Sequence, residues 1–466
     1  MRIAIIGAGF SGSVLAIELA RSAGPGVDIL LVGEADSYGR GLAYGQARPE
    51  HLLNVRARDL GATADHPGEF ADWLNLTERA RASFLPRLVY GEYLYSRLQA
   101  AAQLSLAALQ RIEQEAVALE REGPGFRMHL ADGRGFACDA AVLAVGALPP
   151  QRLAGIGPRL AVHPSYLGWP WHEGAIDRVH PDARVLVVGT GLTMVDVVAT
   201  LQRRGHRGGV VALSRHGLLP QAHRELPSAP VALPPHVLQA LQRHDLRGLV
   251  RALRTLAPVV PDWRSLVDAL RPHTQAFWRG LPPAARARFL RHLRPYWEVL
   301  RHRLAPAAAA QLEDWCARGR LQVRAGRLVR ARRGEDGIEA LIRGRGDAHL
   351  RSERYDVLIR ATGFDTDIER TTHPLIAHLR DAGLLRADPL GLGVQATSEF
   401  EALDRRGAPV RGLYCLGPLL RAQLWEITAV PELRVAARRL AQRLLAGEAR
   451  LRGAPAAAPP RHANLP

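Results

Sequence analysis

The stretch that most constrains this chain is its beginning, Met1 to Gly12, MRIAIIGAGFSG. Arg2 to Ile6 is a short apolar run rich in isoleucine, the pattern of a parallel strand covered on both faces. It runs into Gly7-Ala8-Gly9-Phe10-Ser11-Gly12, a G-x-G-x-x-G, and a helical pattern follows from Ser13 to about Ser22. In such a turn Gly7 swings the chain off the strand, Gly9 lets backbone approach a pyrophosphate, and Gly12 lets helix pack on strand. A second strand, Val27 to Gly33, ends at Glu34, twenty-two residues after Gly12, where an acid binds ribose hydroxyls. Strand, glycines, helix, strand and acid in this order spell a dinucleotide-binding turn.

The logic recurs inside the chain. Val185 to Gly191, VLVVGTG, runs into Gly189-Thr190-Gly191-Leu192-Thr193-Met194 and then a helix. Met194 stands where a third glycine would; the departure loosens helix–strand packing and leaves the turn and the phosphate approach intact. The next strand, Gly209 to Leu213, ends at Ser214-Arg215-His216. A hydroxyl and a guanidinium replace the acid, which suits a 2′-phosphate.

Composition narrows the partners. The net charge of +17 invites a nucleic-acid reading, but all 62 basic residues are arginine and they are spread along the chain. No helix-turn-helix, finger or aromatic RNA-binding pattern accompanies them, so no nucleic-acid partner is expected. Cys138, Cys316 and Cys415 are far apart and make neither a C-x-x-C nor a metal-spaced set. No apolar stretch reaches membrane-spanning length and no signal peptide precedes the first strand, so no membrane partner and a reducing cytoplasm are expected.

At 466 residues the chain has room for two or three domains. Val142 to Gly146 is a further buried strand, and Tyr355 to Gly363 (YDVLIRATG) mirrors it, suggesting a return to the first domain. Leu413 to Pro418 is the last buried strand, followed by a helix from about Pro431 to Leu445. Leu233 to Ala310 reads as a helical insertion whose aromatics are core and whose arginines form a solvated face. The expected fold is α/β: two Rossmann-like dinucleotide-binding domains with that insertion. The expected boundaries are 1–155, 156–359 and a return over 360–447, with a disordered Pro- and Ala-rich tail from 448. Arg40, Tyr44 and Asn54 lie in two glycine-bearing turns expected to wrap a ligand.

Two dinucleotide motifs, the second nested between returns to the first domain, resemble the flavoproteins that bind two dinucleotides. Ala361-Thr362-Gly363 is similar to the crossover segment of flavin monooxygenases. More narrowly, GRGLAYG with HLLNV, VVALSRHGLLPQAH, RFLRHLRPYWEVLRHR and LGPLLRAQLWEITAVPELR resemble one bacterial family, the FAD-NAD(P)-binding proteins. That family includes a flavoprotein urate hydroxylase and an aspartate N-oxygenase. The resemblance covers all but the tail. It implies that Gly7, Gly9, Phe10, Ser11, Gly12 and Glu34 bind FAD, with Arg40, Tyr44, Asn54 and Gly417 on the flavin side. Pro418 stands where many flavoproteins have an Asp after that glycine. Gly189, Gly191, Thr193, Ser214 and Arg215 would bind the nicotinamide cofactor, and Gly363 of the crossover segment is a further cofactor-binding candidate. The activity implied is an NAD(P)H-consuming FAD monooxygenase acting on a small molecule with O2. Urate hydroxylation is the first expectation, N-hydroxylation of an amino acid or amine the second, and a non-catalytic FAD sensor the third. His223, Arg224, Arg360, Trp425 and Glu426 are the candidate substrate clamp, since each lies at a loop or strand end near a cofactor motif.

Overall fold

The computed structural model describes residues 1–172 and 174–451. One sheet has six strands in the spatial order Glu401–Leu403, Pro409–Cys415, Ala140–Leu143, Arg2–Ile6, Asp28–Gly33, Ala108–Glu113. All pairs are parallel except that of the edge strand Glu401–Leu403. Ile3, Ile5, Leu31, Val142 and Leu413 are wholly buried, as a parallel sheet covered by helices on both faces requires. A small antiparallel sheet built from Ala116–Glu122, Gly125–Leu130 and Gly135–Cys138 precedes the strand Ala140–Leu143.

The second sheet has seven strands: Leu350–Tyr355, Gly337–Gly344, Leu321–Gly334, Val210–Ser214, Val185–Val188, Val357–Arg360, Tyr166–Leu167. The first three form an antiparallel meander; the rest pair in parallel. The strand Val357–Arg360 belongs wholly to this sheet, pairing with Val185–Val188, so the chain returns to the first sheet only after it. Its likeness to Val142–Gly146 has another cause: it occupies the same place in the second module.

The two modules repeat at atomic detail. Arg2 N donates to Asp139 Oδ2 at 2.6 Å, and Arg184 N donates to Asp356 Oδ2 at 2.6 Å. Five residues after each arginine stands the first glycine of the turn, Gly7 at φ +111 and Gly189 at φ +120. A Cβ on Gly7 would lie 2.3 Å from the Ala144 carbonyl oxygen, and one on Gly189 2.1 Å from that of Ala361. Each turn is wedged against the end of the neighbouring strand, so only glycine fits.

Between the strands Val210–Ser214 and Leu321–Gly334 the chain makes the helices Pro235–Gln242, Leu246–Leu256, Trp263–Gly280, Pro283–His292 and Arg294–Arg301. Asp245 and Asp262 cap two of them, accepting from Gly248 N and Arg264 N. A sixth helix, Pro306–Ala317, lies in the stretch read as insertion for its first residues but packs Ala309, Leu312 and Trp315 into the second module's core. The insertion is not a solvated appendage. Val237, Leu241, Phe277 and Trp278 share a core with Leu392, Ala422 and Trp425 of the return segment. The final helix, Val430–Leu451, continues past Gly447 into the expected tail, and the remainder of that tail lies outside the described residues. Among the described residues no helix is long and apolar enough to cross a membrane.

Candidate functional site

The first glycine turn is shaped for close approach. A Cβ on Gly12 would lie 1.8 Å from the Gly7 carbonyl oxygen, which packs the helix Phe10–Ser22 onto its strand. A Cβ on Gly9 would meet only the Cα of Gly41, at 3.4 Å, so Gly9 borders open space. The segment after Glu34 is tied across this turn: Gly39 N donates to Ser13 Oγ at 2.9 Å, and Ser13 Oγ donates to the Ala8 carbonyl. Phe10 stacks near Tyr90 at 6.4 Å. Gly417, at φ +98, comes so close to Ser11 that a Cβ would lie 2.8 Å from the serine oxygen. The last strand therefore delivers its end to the first turn of the glycine-loop helix. The Glu34 carboxylate, at the strand tip, has no partner among the described residues. Open backbone at Gly9, a helix N-terminus and a free acid fit the diphosphate and ribose of FAD.

The second turn fits a dinucleotide in the same way. Nothing lies within 4 Å of a Cβ built on Gly191 or Gly363. The Thr193 hydroxyl, in the first turn of the helix Leu192–Arg203, has no partner among the described residues. Met194 is wholly buried, filling the space the missing third glycine would have closed.

Other candidates sit differently from expectation. Arg40 is pinned to the helix Arg87–Leu104 by Glu92, at 3.0 and 3.1 Å, and covers the Tyr95 ring. Tyr44 packs edge-on to Tyr90, and burial raises the pKa of its hydroxyl. Both border a cleft of about 570 Å³ between the modules, with Arg48, His51, Trp171 and Asp196. The Asn54 carbonyl accepts from His223 Nε2 at 3.1 Å, so His223 carries its proton on Nε2. Burial and the charges of Arg303, Arg56 and Arg264 push the His223 pKa down to about 3, and the imidazole is neutral. Arg224 is exposed and pairs with Asp262 at 3.3 Å. Its carbonyl and that of Glu225 accept from Arg56, which is buried and reaches across from the first module.

The five clamp residues do not converge. Arg360 is buried at the tip of the second sheet, where the first module has Leu143, and donates to the Gly363 carbonyl at 3.0 Å. Trp425 is core, 2% exposed: Trp278 stacks on its ring at 4.5 Å, and the Arg421 guanidinium lies over the ring at 4.5 Å. Neither face is left for a ligand ring. Glu426, buried with φ +73, accepts from Trp297 Nε1 at 2.6 Å and pairs with Arg301 at 2.6 Å. It anchors the insertion to the flavin-side return. The stripe Arg294, Trp297, Glu298 and Arg301 occupies one helix face, and Glu298 accepts from both Arg294 and Arg421. The stripe is half-buried against the return segment and not the solvated face that its charged residues suggest.

No curated protein sequence matches the chain. Residues 4–148 match the family model described as FAD-NAD(P)-binding. In fold the chain is similar to the ornithine N-hydroxylase of Kutzneria sp. 744, with TM-score 0.64 and 15% identity over 96% of this chain and 99% of that one. The Pseudomonas aeruginosa ornithine hydroxylase gives 0.63 and 16% identity over 95% and 98%. The L-lysine 6-monooxygenase of Pseudomonas syringae gives 0.61 and 16% over 95% and 98%. The chain thus has the two-module fold of these hydroxylases, and its residues 4–148 carry the FAD-NAD(P)-binding pattern.

Proposed function

We propose that the chain is an FAD-dependent, NADPH-consuming monooxygenase that N-hydroxylates the amine of an amino acid or a related small amine. Similarity to hydroxylases of ornithine, lysine and cadaverine supports this over the urate reading. So does Trp425, whose burial under Trp278 and Arg421 removes the aromatic surface a urate ring would stack on.

The observation that carries the reading is the charge where the modules meet the insertion. Burial first, and then the charges of Arg303, Arg56 and Arg264, hold His223 neutral there. The same field acts on a bound substrate amine. It disfavours the ammonium form and keeps the nitrogen lone pair free for oxygen transfer. When bound, FAD supplies the redox chemistry, taking hydride from NADPH and activating O2. The protein's own part is to orient and to exclude water: Arg56 ties the first module to the 224–225 loop, and the Glu426 anchor seats the insertion. A partner-reducing role finds no support, since the three cysteines form no C-x-x-C.

The test supplies FAD-loaded protein with NADPH, air and ornithine, lysine, aspartate, cadaverine or urate in turn. Hydroxylamine formed one to one with NADPH consumed from one of the amines supports the reading. Urate consumption without turnover of any amine overturns it.

A further inference from the structure

Charge is shared unevenly along the chain. Leu233 to Ala310, one-sixth of the residues, carries thirteen arginines against four acids, which is +9 of the net +17. All four acids are engaged within the fold. Asp245 accepts from Gly248 N, Asp262 pairs with Arg224 and Arg264, Asp268 with Arg303, and Glu298 with Arg294 and Arg421. Arg243, Arg247, Arg251, Arg254 and Arg279 are exposed, and their guanidinia have neither a hydrogen bond nor a carboxylate partner among the described residues.

These five stand together. Arg247, Arg251 and Arg254 follow the i, i+4, i+7 spacing of one face of the helix Leu246–Leu256, whose other face buries Leu246 and Leu249. His244 Nδ1 donates to the Phe277 carbonyl at 3.2 Å, which brings the turn holding Arg243 to the end of the helix Trp263–Gly280, where Arg279 stands.

The helix Leu246–Leu256 runs on into Ala257-Pro258-Val259-Val260-Pro261, and Val259 is 75% exposed. Leu226, 73% exposed, stands on the loop Glu225-Leu226-Pro227-Ser228. Asp262 stitches the two loops together, accepting from Ser228 Oγ and pairing with Arg224 at 3.3 Å. Two aliphatic side chains thus sit on loop tips stiffened by proline, at the end of an arginine face with no balancing acid. Glu225 is the one exposed acid in the two loops.

Like charges one helical turn apart repel, and an anionic surface relieves them. We propose that this face of the insertion docks on an anionic lipid surface, the arginines against the headgroups and Leu226 and Val259 in the acyl boundary. Each arginine within a Debye length of such a surface strengthens binding about fivefold. The chain lies on the bilayer and does not span it, so no membrane-crossing helix is needed. Aliphatic tips favour lipid over nucleic acid, whose recognition draws on aromatic side chains that stack on bases. The proposal goes beyond hydroxylation and does not depend on it.

The test sediments FAD-loaded protein with vesicles of phosphatidylcholine alone, and of phosphatidylglycerol and phosphatidylcholine in equal parts, at about 0.1 and about 0.5 M NaCl. The wild type should bind only the anionic vesicles and release at the higher salt. Arg247→Glu/Arg251→Glu/Arg254→Glu should weaken binding on the order of a hundredfold. Leu226→Ser/Val259→Ser should weaken it about tenfold with its salt dependence kept. Arg159→Glu/Arg330→Glu/Arg411→Glu changes the net charge equally at exposed, unpaired arginines elsewhere and should stay within about twofold. Flavin content and melting temperature verify that each variant folds. Equal loss in the two triple variants would reduce the effect to net charge and overturn the site. Normal binding by the Leu226/Val259 variant, or equally tight binding of the wild type to polyglutamate or a DNA duplex, would show a general polyanion surface and overturn the lipid assignment. Absence of vesicle binding overturns the proposal outright. None of these readouts needs turnover, so the proposed activity stands or falls separately.

Discussion

Arg87 of the first module donates to Asp196 of the second at 2.7 Å, and both side chains are largely buried. The pair clasps the helix Leu192–Arg203, which carries the second glycine turn, to the helix Arg87–Leu104. Arg48 adds two bonds to Asp177 at 2.8 Å beside it, and His51 Nε2 meets Thr200 Oγ1 at 2.9 Å. The orientation of one cofactor module over the other is set by polar contacts, in keeping with the polar character of interfaces between domains.

This clasp has a pH dependence. Burial pushes the Asp196 carboxyl up to about 6, Arg87 pulls it down, and Glu50 adds a small upward push. A carboxyl raised on folding favours the folded state most below its unfolded pKa near 3.8 and loses that contribution as pH rises through about 6. The wild type should therefore lose about 2 kcal/mol relative to Asp196→Asn between pH 4 and 6, at up to 1.36 kcal/mol per unit, and run parallel well above. Denaturant melts of both proteins across that range check it; parallel curves throughout would refute the assignment.

The glycines of the first turn should separate by function. Gly9→Ala should fold and lose FAD, because its Cβ would stand where phosphate approaches and meets only Gly41 Cα at 3.4 Å. Gly12→Ala should fail to fold, since its Cβ would lie 1.8 Å from a backbone oxygen. Flavin absorbance and far-UV circular dichroism distinguish the outcomes. A yellow Gly9→Ala protein would sink the cradle.

Glu426 pays for its left-handed backbone with two bonds to the insertion. Glu426→Ala leaves Arg301 buried beside no carboxylate and should cost about 3–5 kcal/mol. Glu426→Gln keeps an acceptor for Trp297 and should cost less. Unfolding midpoints rank the three proteins, and equal stability of Glu426→Ala and wild type would contradict the anchor role.

Met194 should matter for packing and not for phosphate. Met194→Gly restores the glycine pattern but empties a wholly buried site. It should destabilise by about 2–5 kcal/mol from the lost side chain, with ~1 kcal/mol more for glycine in a helix. Binding of 2′,5′-ADP should stay within a few fold. A stabilised variant would show that the methionine is a misfit.

Much of the fold was legible because its signals are short in range. Strand, turn and helix at Arg2 to Ser22 rest on contacts between near neighbours, as do Val185 to Arg203, and both glycine turns stand where their spacing predicts. The strand Val357–Arg360 was legible as a strand but not as a member of the second sheet. Its resemblance to Ala140–Leu143 reports a shared local role, and local sequence does not say which sheet supplies its neighbours.

By itself the sequence determined two dinucleotide turns, an α/β chain and a helical insertion, because apolar periodicity and glycine conformations are properties of a few adjacent residues. Tertiary structure alone decided which polar residues meet. Trp425 and Glu426 follow the last strand as a substrate clamp would, yet Trp278 and Trp297, more than a hundred residues earlier, claim them for core and anchor. Arg87 and Asp196 are unremarkable in their own helices and become a clasp when two modules close. A charge takes its role from what stands within a few ångströms, and for residues far apart in the chain that distance is set only by the folded molecule.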